Sequence, residues 1–136
     1  MKFLCLGYYD EKKFDALSKD EVDALVRNCR AHDEALHRSG RLIAVASLGP
    51  TRATKSVRPK QGKALVTDGP FAETKEVIGG YWIIQVRSRE EAIEWAKRAP
   101  MSNNEVIEVR QIHEMPDFPE DVQKAAEGYE HRNVVA

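Results

Sequence analysis

Two copies of one short pattern constrain the fold more than anything else in this chain. Ser18 is followed three residues later by Glu21, and Ser88 by Glu91. This is the capping-box spacing, in which a hydroxyl and a carboxylate satisfy amide groups that a helix leaves orphaned at its start. The first pattern predicts a helix over about residues 19–39, stopped by Gly40. The second predicts a helix carrying Ala92, Ile93, Trp95 and Ala96 that ends before Pro100.

Strand-like runs surround both helices. Residues 3–9 are apolar and aromatic and are closed by the polar cluster Asp10-Glu11-Lys12-Lys13. Further strands are predicted at 42–48, 53–58, 63–67, 81–86 and 105–112, with Gly49-Pro50 and the stretch from Pro59 to Gly62 as breaks. The pair at 53–58 and 63–67 reads as a hairpin. The order is strand, helix, strand, hairpin, strand, helix, strand: an α+β chain of ferredoxin-like split βαβ type with an inserted hairpin. Two helices cover one sheet face, and a second copy of the sheet is the simplest cover for the other, so a homodimer is expected. The expected domain spans residues 1–115. A tail at 116–136 follows, in which Val122, Ala125, Ala126 and Tyr129 suit a short amphipathic helix.

A length of 136 residues fits one hydrophobic core. With 42% hydrophobic and 32% charged residues the composition is that of a globular protein. The net charge of −1 supplies no global field to hold a polyanion, which argues against nucleic acid and acidic lipid as partners. Lys2 precedes only the short apolar run Phe3-Leu4-Cys5-Leu6, too brief for an export signal or a membrane span. Cys5 and Cys29 fall at apolar positions where a free thiol packs as a small hydrophobe. Together these predict a cytoplasmic protein without a membrane partner.

The run Thr67-Asp68-Gly69-Pro70-Phe71-Ala72-Glu73-Thr74-Lys75-Glu76, followed by Gly79-Gly80-Tyr81, resembles the signature of the YCII-related, DGPF-domain family of bacterial proteins. Residues 1–8, 91–96 and 107–110 support the resemblance, which covers about residues 1–112. It implies a dimeric α/β barrel of ferredoxin-like subunits, cytoplasmic, without a settled activity, often encoded beside alternative sigma factors. The wider family includes small enzymes whose cleft carries a His and Asp pair. Gln111 stands where the family often has proline, and the family's His and Asp positions do not map cleanly onto this chain.

Four groups of residues invite a chemical reading. On the first helix, Val22, Leu25, Val26, Cys29, Asp33 and Leu36 fall on one stripe. Asp33 is its anomaly, because burial raises a carboxyl pKa and makes a general acid or base. His37 lies four residues on and His32 flanks the stripe, so Asp33 is expected between two histidines; the plainer reading places Asp33 at the sheet rim. In the signature loop, Asp68 is a candidate base, with Glu73 and Lys75 orienting a polar ligand; the plainer reading makes the loop a turn with Phe71 plugging the core. Arg52, Lys55, Arg58, Lys60 and Lys63 form a basic hairpin, which either docks an anionic metabolite or protects an edge strand. Finally, His32 and His37 are five apart, about 140° around a helix, and cannot readily share one metal; His113 and His131 add little. No metal and no cofactor are expected.

The leading expectation is a homodimer that binds a small anionic or polar metabolite. Any catalysis would be proton transfer, simple rearrangement or hydrolysis of a small polar substrate, with Asp33 or Asp68 as base, His32 or His37 as partner, and Arg110 or the basic hairpin with Arg52 holding an anion. The cleft is expected between the first helix, the sheet and the Asp68 loop. The alternative is a noncatalytic interaction module, linked to a sigma factor by family context alone.

Overall fold

The computed structural model describes residues 1–102 and 105–129. It contains β1 (Lys2–Tyr9), α1 (Glu11–Asp15), α2 (Lys19–Arg38), β2 (Leu42–Ser47), β3 (Lys55–Lys60), β4 (Lys63–Asp68), β5 (Val77–Gln85), α3 (Arg89–Lys97), β6 (Val106–Ile112) and α4 (Glu120–Ala125). Two 3₁₀ turns, Thr51–Ala53 and Met115–Asp117, join them. His131 lies outside the described residues.

Both helix starts follow from local chemistry. At α2 the full capping box forms: Glu21 N–H donates to Ser18 Oγ and Ser18 N–H to Glu21 Oε1, each at 3.2 Å. At α3 only half of it forms. Ser88 Oγ accepts from Glu91 N–H at 3.2 Å, while the Glu91 carboxylate instead takes Arg87 N–H at 2.8 Å and Arg41 Nε at 2.7 Å. These partners, the Arg87 amide first, hold the Glu91 carboxyl below its ordinary range. A depressed carboxyl stabilises the fold above its unfolded pKa, and that contribution disappears as pH falls through the folded value. Glu91→Gln should therefore cost about 1 kcal/mol at neutral pH, and that cost should shrink as pH falls from the ordinary carboxyl range through the depressed folded value, as read by urea unfolding across an acid pH series.

A four-stranded antiparallel sheet has the order β2-β5-β1-β6, the strand order of a ferredoxin-like fold; β3 and β4 pair separately. Directly opposed residues share a sheet face. Phe3 opposes Ile84 and Cys5 opposes Trp82, and these four side chains are buried beneath the helices with Leu36 of α2 and Ala92 and Ala96 of α3. Burial also pushes the Cys5 thiol up to about 12. On the other face Leu4 opposes Ile83 and Leu6 opposes Tyr81, all half-buried.

Three expectations are corrected. The polar cluster expected only to close β1 also opens a short helix, α1, because Asp10 caps it by accepting from Lys12 N–H at 3.0 Å. β5 starts at Val77, before the two glycines, rather than at Tyr81. Phe71 is 82% exposed and plugs nothing. The hairpin stands off the sheet, with Val57 and Val66 opposed and exposed; Gln61 and Gly62, both at positive φ, make its turn.

Candidate functional site

The buried residues of α2 are His32 and Leu36, both in its C-terminal half. Val26 is exposed, and so is Cys29, so the helix meets the sheet only at one end. Beneath the middle of the helix, ahead of Leu36, a cavity of about 500 Å³ opens, lined from α2 by Leu25, Cys29, His32 and Asp33 and from the sheet by residues that include Val45 and Trp82. Its other walls come from the end of β1, α1, the turn at Arg52, residues 99–101 after α3 and residues 105–107, not from the Asp68 loop.

His32 is the best-anchored polar group in the cavity wall. Its ring meets Trp82 edge-on at 5.1 Å and Trp95 at 6.2 Å. Nε2 donates to the Trp95 carbonyl oxygen at 3.1 Å. A carbonyl only accepts, so this bond assigns the proton to Nε2 and leaves Nδ1 as the open position. Nδ1 stands 4.0 Å from Asp33 Oδ1, beyond direct hydrogen bonding and within reach of a shared proton carrier. Burial pushes the Asp33 carboxyl up, and the neighbouring His32 partly offsets this. A carboxyl moved toward neutrality, beside an imidazole with one free nitrogen, is equipped to give or take a proton.

A second set of groups guards the opposite wall. The Glu11 carboxylate accepts from Thr51 N–H at 3.1 Å and from the Thr51 hydroxyl, fixing the turn that carries Arg52. The Tyr9 ring meets Phe14 edge-on at 5.7 Å and lies over Gly79, where a Cβ would come within 2.4 Å of it. That close approach explains why glycine precedes Gly80 in the strand.

The structure thus brings Asp33, His32 and Arg52 to one cavity and leaves the other expected residues outside it. His37 is exposed in the last turn of α2 and makes no ion pair with Asp33, so Asp33 has one histidine neighbour, not two. Asp68 is exposed and ion-paired with Lys55 at the hairpin base. Glu73 and Lys75 are exposed in the loop beyond it. Arg110 opposes Leu4 on the sheet face away from the helices. Tyr9, Phe14, Glu11, Asp15 and Glu105 line the cavity without having been singled out from the sequence. Only the Asp10 cap before Glu11 could have pointed to some of them. No group of three or more potential metal ligands exists among the described residues, and no described helix is long and apolar enough to cross a membrane.

Strand order and helix placement define a ferredoxin-like α+β protein with a separate hairpin and a cavity under the long helix. Residues 1–116 match the YCII-related domain, and the chain belongs to that family. It is also similar to an uncharacterised protein of Rhizobium meliloti (strain 1021), with 37% identity over 103 residues, covering 76% of this chain and 83% of that protein. The loop at residues 68–76 lies outside the cavity, whereas Gly79, Gly80 and Tyr81 line it.

Proposed function

We propose that this chain binds a small polar organic molecule in the cavity beneath α2 and transfers a proton to or from it through His32 and Asp33. The carrying observation is His32 itself: buried, locked through Nε2 to the Trp95 carbonyl, and presenting Nδ1 beside a carboxyl of raised pKa. His32 acts as the partner that accepts or returns the proton, and Asp33 as the acid or base. No cofactor enters this reading. Both cysteines are free, which suits a reducing cytoplasm. The apolar centre of the outer sheet face, around Leu4, Leu6 and Ile83, supports a homodimer closed through that face.

Native mass spectrometry of the protein purified gently from its host tests the reading. A dimer carrying a discrete small molecule supports it; Asp33→Asn should then keep the dimer and lose turnover of that molecule. A bare monomer would overturn both the pocket and the dimer. Asp33→Asn carries a second signature. A carboxyl raised by folding weakens the fold as pH rises through the interval between its unfolded and folded values. The variant should therefore melt slightly higher than wild type at neutral pH and no higher below about pH 3.

A second reading, a contact arm for a protein partner, is favoured by the hairpin. Val57, Val66, Pro59 and Ala64 share one exposed face of it, and Arg58, Lys60 and Lys63 lie on the other. Val57→Asp should abolish capture of such a partner and leave small-molecule binding intact.

A further inference from the structure

The charge of the cavity wall runs against an anionic ligand. Four carboxylates line it, those of Glu11, Asp15, Asp33 and Glu105, against one guanidinium, that of the exposed Arg52. Two groups on different walls report the resulting field. The Tyr9 hydroxyl is pushed up by burial and then by Glu11 and Asp15, with Arg52 opposing. The Cys29 thiol, exposed overall yet partly desolvated at the cavity edge, is pushed up by that desolvation and then by Asp33 and Glu105. The His32 side chain is only 6% exposed, and its Nδ1, 4.0 Å from Asp33 Oδ1 and without a hydrogen-bond partner, is an acceptor in the neutral imidazole that carries its proton on Nε2. Between these polar groups stand the rings of Tyr9, Phe14 and Trp82, whose faces attract cations.

We infer that the cavity takes a small organic cation: an amine, protonated in solution, on an apolar or aromatic body. This rests on the cavity being a ligand site, as proposed above, and adds the chemical class of the ligand. The ammonium donates to His32 Nδ1 and sits among the carboxylates, while the body packs against the aromatic rings. Arg52 at the mouth then disfavours cations poorly fitted to the interior.

Three probes of nearly equal size separate the charge reading from the pocket reading: benzylamine, benzyl alcohol and benzoate, each titrated into the full-length protein near neutral pH and followed by amide NMR. Benzylamine should shift Cys29, His32 and Trp82 and bind about tenfold more tightly than benzoate, with benzyl alcohol between them. Added salt should weaken benzylamine alone. The double variant Asp15→Asn, Glu105→Gln should lower benzylamine affinity by about threefold or more and leave benzyl alcohol unchanged. Benzoate binding as tightly as benzylamine would overturn the cation assignment and leave the pocket standing. Failure of all three probes to shift the cavity residues would overturn the pocket and the cation together.

Discussion

Phe3→Ala is expected to lower the free energy of unfolding by about 3–5 kcal/mol, whereas Phe71→Ala should change it by less than about 0.5 kcal/mol. The two residues are chemically identical, and their environments are opposite. Phe3 is fully buried between the sheet and the helices, so truncation removes its apolar transfer energy and leaves a cavity that packed neighbours such as Ile84 and Leu36 cannot fill. Phe71 is 82% exposed in the loop after the hairpin. Urea unfolding of the two single variants side by side reads the difference. A large loss on Phe71→Ala would mean that the loop packs into the core after all.

Gly80→Ala should destabilise by about 1–3 kcal/mol, more than any other single added methyl in the cavity wall. A Cβ there would stand 2.9 Å from the Ala46 carbonyl oxygen, and both atoms belong to paired strands that cannot separate without breaking their ladder. Gly79→Ala meets a different neighbour. Its Cβ would strike the Tyr9 ring, which is a side chain free to turn away. The expected result is therefore a smaller loss of stability and a displaced cavity wall, seen as weakened binding of benzylamine. Thermal unfolding and NMR titration of the two variants together distinguish the roles of these adjacent glycines.

Much of the architecture was legible because its signals are local. The Ser18 and Ser88 caps act over three residues and located both long helices, and the Gly49-Pro50 break follows β2 as expected. Pro59, expected in a break, instead lies inside β3 opposite Ala64, and only Gln61 and Gly62 make the turn. The expected strand begins at residue 81, after the two glycines, although β5 includes them and close approach of Tyr9 and of the Ala46 carbonyl demands them there. The site was harder for a physical reason. Which α2 residues are buried depends on how the helix tilts over the sheet, which periodicity does not contain. Asp33 was found because a carboxylate on an apolar stripe is conspicuous. His32 appeared only as a flank, yet it is the residue that the tilt buries against Trp82 and Trp95. His37 shares the helical spacing but lies one turn past the contact, in solvent. The signature loop drew attention to Asp68, Glu73 and Lys75 because it is dense in ionisable groups; without a packed neighbour they remain solvated. Tyr9 of β1, Asp15 of α1 and Glu105 just ahead of β6 are distant in sequence and meet only through the topology.

That the cavity beneath α2 is a ligand site is the claim on which the rest depends, and an NMR screen of small polar fragments against the intact protein tests it most directly. The account predicts that binding fragments shift one contiguous set of resonances, with Tyr9, Cys29, His32 and Trp82 among them, and that His32→Gln weakens those shifts. Fragments that instead gather on the outer sheet face or along the hairpin, leaving those four residues unmoved, would contradict it.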